Sequence, residues 1–261
     1  MIFISVEKIK QESDGLINKN QNIHPIYSEA YRLVSEFWEN KITQSNWREP
    51  LKLIKAMGWE AIPYNYKEIR NLSKEAYCTY RKNNFFVLYN INNVQVRITF
   101  SLDHEIGHII CGHPIRCGEV LYKSCENSKK KFVEVEASIA GRNIHFPAPI
   151  IQALINEFGK EETIKYLQYA YHISEEYAIN RLNLLEEDLK YTNLNNICFK
   201  NEIEKERINM RLFSITRSCE RFGGNYDLQK SFNPKNIDSN NDFKKIIMEL
   251  LNNKKRNLGY F

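Results

Sequence analysis

The chain has 261 residues, of which 43% are hydrophobic and 26% are charged. A composition of this kind predicts a soluble protein of one or two domains with a sizeable buried core. The 37 basic and 32 acidic residues leave a formal net charge of +5, which is too small to call for nucleic acid as a partner.

The N-terminal residues Met1 to Val6 are apolar, but no basic region precedes them, and Glu7 and Lys8 interrupt the pattern. We therefore expect this segment to be neither a signal peptide nor a membrane span. The six cysteines include no Cys-x-x-Cys pair and form no disulfide-dense framework. We therefore expect a protein of the reducing cytoplasm that has no membrane partner.

Apolar residues at helical spacing predict two scaffold helices, over residues 26–38 and 51–58. The following segment is typical of strands. Four strands are predicted, over residues 59–64, 76–80, 85–90 and 94–100. They would form a small twisted sheet packed on the helix that follows, which indicates an α+β fold.

The fourth strand is expected to run directly into that helix. Asn92 and Asn93 would form the hairpin turn before the strand. Ser101 is a suitable N-cap for the helix, and Asp103 in the first turn would favour the helix dipole.

The predicted helix carries His104, Glu105 and His108 in a His-Glu-x-x-His pattern. Residues four apart on a helix lie about 40° apart around its axis, so the two histidines can bind one metal ion. Glu105 lies about 100° from His104, where its carboxylate can hold a metal-bound water. Zinc would lower the pKa of that water toward ~7, and the glutamate would move its proton to the leaving amine. The pattern predicts zinc-dependent hydrolysis of a peptide bond.

A catalytic zinc ion normally takes a third protein ligand. His113 is nearest in sequence, but Gly112 and Pro114 favour a position for it at the helix C-terminus. A second predicted helix over residues 132–147 offers two carboxylates instead.

Those two carboxylates, Glu134 and Glu136, would lie about 200° apart around the second helix, so only one can face the metal. Glu134 shares its face with the small residues Ala137, Ser138 and Gly141, which would let the two helices approach closely. Glu134 is the preferred ligand and Glu136 the alternative. The carboxylate that does not bind the metal is expected to be solvated.

These two blocks resemble the ImmA/IrrE-type metallopeptidases. Members of that family combine a strand, His-Glu-x-Gly-His, a variable loop and a helix of the form Glu-x-x-Ala-Asn-x-Phe-Ala-x-x-Leu-Leu-x-Pro. Glu134, Ala137, Ile144 and Pro147 match the second block, and the resemblance covers roughly residues 50–190. Its Asn, Phe, Ala and second Leu are replaced here by Ser138, Ala140, Gly141 and His145.

The resemblance implies a zincin-like core, in which a small antiparallel or mixed sheet packs on the His-Glu-x-x-His helix and on a second, Glu-bearing helix. It supports Glu134 as the ligand of one Zn²⁺ per chain, with Mn²⁺ as an alternative ion. It also implies a protein substrate, namely a helix-turn-helix transcriptional repressor. By analogy with zincins, an exposed edge strand would hold the substrate.

Two further histidines, His145 and His172, are candidate donors to the oxyanion of the transition state. For both, a packing or surface role is the competing interpretation.

Short helices are predicted over residues 149–158, 161–171 and 174–185, and they are similar to a helix-turn-helix arrangement. Arg181 is the basic residue of the last helix, but five acidic residues accompany it, so direct DNA binding is disfavoured. Those residues are Glu175, Glu176, Glu186, Glu187 and Asp188. A structural or substrate-docking role is preferred.

Three regions are predicted from these patterns. Residues 1–147 would form the metallopeptidase domain with its N-terminal scaffold helices, and residues 148–190 a helical subdomain. Residues 191–261 would be a C-terminal extension of unassigned role, with helices over residues 203–222 and 242–251.

Two functions fit the sequence. The first is a zinc endopeptidase that cuts a regulatory protein at a specific site and acts as an anti-repressor. The second is a non-proteolytic binding module, in which the metal only orders the fold and docking neutralises the partner. Glu105 favours the first, because a purely structural site needs no general base.

Overall fold

The structure is a computed structural model that describes residues 23–40, 46–68, 73–116, 127–192 and 197–221. It is a mixed α+β fold, mostly helical, with a small three-stranded mixed sheet. The N-terminal segment 1–22 and the helix predicted over residues 242–251 lie outside the described residues.

The described residues form ten α-helices, one short 3-10 helix (Asn46–Arg48) and three strands. The helices are α1 (Ile23–Asn40), α2 (Pro50–Ala56), α3 (Gln95–Ile110), α4 (His113–Arg116), α5 (Asn127–His145), α6 (Ala148–Phe158), α7 (Lys160–Tyr171), α8 (Glu175–Asn183), α9 (Leu185–Tyr191) and α10 (Ile197–Arg221). The strands are β1 (Glu60–Tyr64), β2 (Ala76–Arg81) and β3 (Asn84–Asn90).

The sheet has the order β1-β3-β2, with β1 parallel and β2 antiparallel to β3. The β2–β3 hairpin turns at Lys82 and Asn83, whose φ angles of 49° and 60° are those of a two-residue turn that matches the twist of the strands. Among the described residues β2 pairs only with β3, so it is an edge strand. The first three predicted strands are confirmed.

The fourth predicted strand, over residues 94–100, is wrong: helix α3 begins at Gln95 and includes the rest of this segment. Ile98, Leu102 and Ile106 are buried at helical spacing along its core face, and this period of about four overrides the alternation of β-branched residues. The prediction of a hairpin turn between two strands at Asn92 and Asn93 is therefore wrong as well.

Two features assigned to the start of that helix also lie elsewhere. Val94 is the N-cap, so Ser101 and Asp103 lie inside the helix rather than at its N-terminus. Both are buried. Ser101 donates a hydrogen bond to Glu75, at 3.3 Å, and Asp103 contacts His145.

Helix α3 packs against the sheet on one side and against α5 on another. A Cβ atom on Gly107 would lie 2.0 Å from the main-chain oxygen of Ala137, and one on Gly141 would lie 2.3 Å from that of Asp103. Both distances are far below van der Waals contact, so glycine is required on each helix. The close approach expected from the small residues of the second helix is confirmed.

The helices after α5 follow the predicted pattern. Ser174 caps α8, because its hydroxyl accepts a hydrogen bond from the main-chain N–H of Tyr177, at 3.1 Å. Arg181 differs from the expectation, since its side chain is buried and forms an ion pair with Asp188, at 2.6 Å. It therefore offers no charge to a DNA backbone.

The chain divides into two compact units, Met1–Ile203 and Glu204–Phe261. All residues of the candidate site belong to the first unit. Boundaries at residues 147 and 190 stay predictions. No helix in the described ranges has both the length and the apolar character needed to cross a membrane.

Candidate metal centre

Three side chains converge between α3 and α5. The Nε2 atom of His104 lies 2.9 Å from Glu134 Oε2 and 3.1 Å from His108 Nε2. The third edge, between His108 Nε2 and Glu134 Oε2, measures 3.7 Å. Atoms bound to one tetrahedral zinc ion at about 2.0–2.1 Å would lie about 3.4 Å apart. The three residues therefore form a group that could hold a metal ion.

The local structure accounts for this convergence. His104 and His108 are one turn apart on α3, so their rings lie on the same side of that helix. Glu134 comes from α5, which the Gly107 and Gly141 contacts bring against α3. Glu136, the alternative ligand, lies outside the group.

Glu105 is buried beside this group, with 5% of its surface exposed. Its Oε2 atom has no hydrogen-bond partner among the described residues. A buried carboxylate oxygen costs free energy unless a donor satisfies it, so a water molecule is the natural partner here.

The buried thiol of Cys78, on β2, lies close to the Glu105 carboxylate. Burial, reinforced by this negative charge, raises the pKa of Cys78 well above its usual range. The thiol therefore stays protonated and can act as a donor that holds Glu105 in position.

The charged forms of Glu134 and His104 stabilise each other. Hydrogen bonding with His104 and then with His108 lowers the pKa of Glu134 below its usual range. Burial opposes protonation of His104, but Glu134 and Glu105 together raise its pKa above the usual value. The centre thus combines two carboxylates with two imidazoles, a set that favours a cation.

A second layer of contacts orients both histidines. The hydroxyl of Ser138 donates to the main-chain oxygen of Glu134, at 2.8 Å, and lies 3.3 Å from Nδ1 of His104. Nδ1 of His108 lies 2.8 Å from Nδ1 of His113, and Nε2 of His113 lies 2.9 Å from Glu136 Oε2.

Two sequence predictions about the residues around the group are wrong. Glu136 is not a solvated carboxylate, since only 5% of it is exposed. Its burial raises its pKa to about 7, although the nearby Arg116 lowers it. His113 is not the last residue of the motif helix but begins the short helix α4. Burial, His108 and Arg116 hold the pKa of His113 well below its usual range, so its ring is neutral.

No orienting role was predicted from the sequence for four residues around the group: Cys78, His113, Glu136 and Ser138. The spacing of His113 from His108 was the available signal, because the left-handed Gly112 just after the helix end turns the next residues back toward the last turn of the helix. Cys78 gave no signal, since its contact with Glu105 comes from the tertiary packing of β2 on α3.

Of the two candidate oxyanion donors, His145 is hydrogen-bonded to other residues and His172 is exposed. His145 is buried, with Nε2–H donating to the main-chain oxygen of Arg48 and Nδ1 lying 2.5 Å from Asp103 Oδ2. Both ring nitrogens are thereby used. His172 is exposed and ends α7 with a left-handed φ of 53°. The packing role for His145 and the surface role for His172 fit this geometry.

Comparison of the chain with models of known protein families and with curated proteins gave no match in either case.

Proposed function

We propose that the chain is a zinc-dependent endopeptidase with a zincin-like core, similar to the ImmA/IrrE-type metallopeptidases. The observation that carries this proposal is the combination of the His104–His108–Glu134 group with Glu105, a buried carboxylate whose Oε2 atom has no partner among the described residues. A site that only ordered the fold would not need this carboxylate.

The donor set fits zinc. Two imidazole nitrogens and one carboxylate oxygen are a common ligand set of catalytic zinc sites, and three protein ligands leave one position open. The ligand-atom separations of 2.9, 3.1 and 3.7 Å bracket the edge of a zinc tetrahedron. Zinc bound there would polarise the scissile carbonyl and make water acidic enough to attack it near neutral pH.

Glu105 is proposed as the general base and acid. Its unpartnered oxygen would accept the proton of the attacking water and then deliver it to the leaving amine as the peptide bond breaks. The nearby thiol of Cys78 would donate to the same carboxylate, so that Glu105 stays directed toward the attacking water.

The edge strand β2 is the proposed binding surface for the substrate. It carries Cys78, which contacts Glu105, and no described strand pairs with its outer side. An extended segment adding to this edge through main-chain hydrogen bonds would run beside the catalytic carboxylate. The substrate is proposed to be a regulatory protein, a helix-turn-helix transcriptional repressor, which the enzyme cuts in the cytoplasm.

The second candidate is a metal-ordered binding module that neutralises its partner by docking. The residues of the centre would serve it equally well except for Glu105. Structural zinc sites usually fill the fourth position with a Cys or His ligand, and no such fourth ligand belongs to the group found among the described residues.

Capture and cleavage separate the two candidates. Glu105→Gln protein is used to capture partners from extract of the native cell, and each captured protein is then incubated with the wild-type chain. Mass spectrometry of the fragments is expected to reveal one cut in a repressor-like partner. A partner that is held but never cut would favour the binding module.

A further inference from the structure

We propose that His113 and Glu136 are positioning residues that fix His108 in its metal-binding tautomer through a buried two-step hydrogen-bond relay. This inference rests on the proposed metal centre, but it concerns residues that touch neither the metal nor a substrate.

The relay is continuous and closed to solvent. His108 Nδ1 lies 2.8 Å from His113 Nδ1, and His113 Nε2 lies 2.9 Å from Glu136 Oε2. His108 and His113 are each 2% exposed and Glu136 is 5% exposed. Water therefore cannot replace either bond when one is lost.

The two bonds together determine where the protons lie. When Glu136 is ionised its oxygens can only accept, so Nε2 of a neutral His113 ring carries the hydrogen and donates it to Glu136. Nδ1 of His113 is then an acceptor and takes the hydrogen on Nδ1 of His108. His108 is left with an unprotonated Nε2, the atom that faces His104 Nε2 and Glu134 Oε2.

This arrangement adds one residue to the usual hydrogen bonding that orients a histidine ligand. A histidine ligand usually donates its second ring N–H directly to a carboxylate or carbonyl, which fixes the tautomer and the ring orientation. Here a second imidazole lies between the carboxylate and the ligand, so the carboxylate determines which ring nitrogen of the ligand carries the hydrogen. His104 has a weaker support, since its Nδ1 faces Ser138, an exposed hydroxyl, at 3.3 Å.

The direct test reads the tautomers in wild-type protein labelled with ¹⁵N-histidine, both without metal and loaded with zinc. Long-range ¹H–¹⁵N correlation spectra are expected to show hydrogen on Nδ1 of His108 and on Nε2 of His113. Hydrogen on Nε2 of His108, or on Nδ1 of His113, in the zinc-loaded protein would overturn the proposal.

Variants test the effect on the metal by competition with a chelator. Glu136→Met removes the acceptor while keeping a side chain of similar length, and it is expected to weaken zinc binding about 10–100-fold. Glu136→Gln keeps an acceptor oxygen for His113 and is expected to restore most of that loss. Equal zinc affinity in wild type and Glu136→Met would overturn the proposal, as would failure of the Gln variant to recover affinity.

The matched control is His145→Phe, which removes another buried histidine–carboxylate contact, the one to Asp103. Neither ring nitrogen of His145 contacts a ligand side chain. It is expected to lower the melting temperature but to retain zinc affinity, whereas His113→Phe lowers both. Equal losses of affinity in the two variants would show a general packing effect and reject the relay.

If the proposed metal centre itself is wrong, the zinc-binding results would differ from those expected when only the relay is wrong. Wild-type protein that binds no zinc would overturn the proposed function and remove the ligand that the relay is meant to orient. Zinc binding that is tight in wild type and unchanged in the relay variants would leave the centre intact and reject only the relay.

Discussion

Glu105 combines two properties that rarely occur together in a structural residue: it is buried, and one of its oxygens has no partner among the described residues. Replacing it with Gln keeps the shape of the side chain and leaves His104, His108 and Glu134 unchanged. We expect zinc content to stay at the wild-type level and the cleavage rate to fall by about 10²–10⁴-fold, the usual share of a general base. Metal analysis and a cleavage assay on the same preparation check this, and unchanged turnover would remove Glu105 from the mechanism.

Glu134 and Glu136 differ in what they touch, and the two alanine variants are expected to differ accordingly. Glu134→Ala removes a proposed direct ligand, whereas Glu136→Ala removes the end of the proposed relay, an effect of about 10–100-fold on affinity. We expect the zinc affinity of Glu134→Ala to be the lower of the two. Competition with a chelator gives the ranking, and the reverse order would mean that Glu136 is the ligand.

The grouping of the candidate ligands could be predicted from the sequence, because helical spacing brings His104 and His108 together and lets only one of the two carboxylates face them. The contacts that orient these ligands and Glu105 could not be predicted from the sequence. The contact of Cys78 with Glu105 and that of His113 with Glu136 join segments far apart in the chain. No local pattern encodes such contacts, which arise only when α3, α5 and the sheet pack.

The interface between α3 and α5 depends on glycine at two positions. The Cβ atom of Gly107→Ala would meet the main-chain oxygen of Ala137 at 2.0 Å, and backbone cannot move aside as a flexible side chain can. We expect a loss of about 3 kcal/mol or more in the free energy of unfolding, from overpacking, together with loss of metal binding as the helices separate. Thermal and denaturant unfolding, with zinc titration, measure both effects.

Gly58→Ala is the matched control for this prediction. Gly58 has a φ of 74°, but nothing lies within 4 Å of a Cβ atom built on it. The expected loss is about 1–2 kcal/mol, from the left-handed backbone alone, with zinc affinity retained. A Gly107→Ala protein as stable as the Gly58→Ala protein would contradict the close approach of the two helices.

Asp188 links α5, which carries Glu134, to two helices that contribute no residue to the candidate metal group. Its carboxylate pairs with Arg142 of α5 and Arg181 of α8, each at 2.6 Å, and accepts a hydrogen bond from Tyr31 of α1. Asp188→Asn would leave two buried guanidinium groups without their counter-charge, which costs about 3–5 kcal/mol in the free energy of unfolding. Denaturant unfolding measures this loss, and a change below about 1 kcal/mol would show that solvent reaches the cluster.

At the scale of elements, the sequence identified most helices and the three strands but not the start of α3. Residues 94–100 alternate like a strand, yet Ile98 begins a series of buried residues that continues through Leu102 and Ile106. The helical period was present in the sequence, but it emerges only when the window extends beyond residue 100. Burial of that face against the sheet and α5 outweighs the β propensity of Val, Ile and Thr.

For the whole molecule, metal removal is expected to affect activity and stability together. Chelation should stop cleavage, since in the proposed mechanism the metal would supply the nucleophile, and added zinc should restore it. Because zinc bound at the proposed centre would favour the folded chain, it should also raise the melting temperature of wild-type protein, by an amount that grows with zinc concentration. Glu134→Ala should show little of this rise. Activity that survives complete metal removal would contradict a hydrolytic metal centre.

The most direct test of the central claim is a mass-spectrometric measurement of new peptide N-termini in native cell extract. Wild-type chain and Glu105→Gln chain, matched for zinc content, are added to separate samples of the same extract. We expect one or very few new N-termini, located in a repressor-like protein and present only with the wild-type chain. No new N-terminus with the wild-type chain, or the same N-termini with both chains, would contradict a peptidase that uses Glu105.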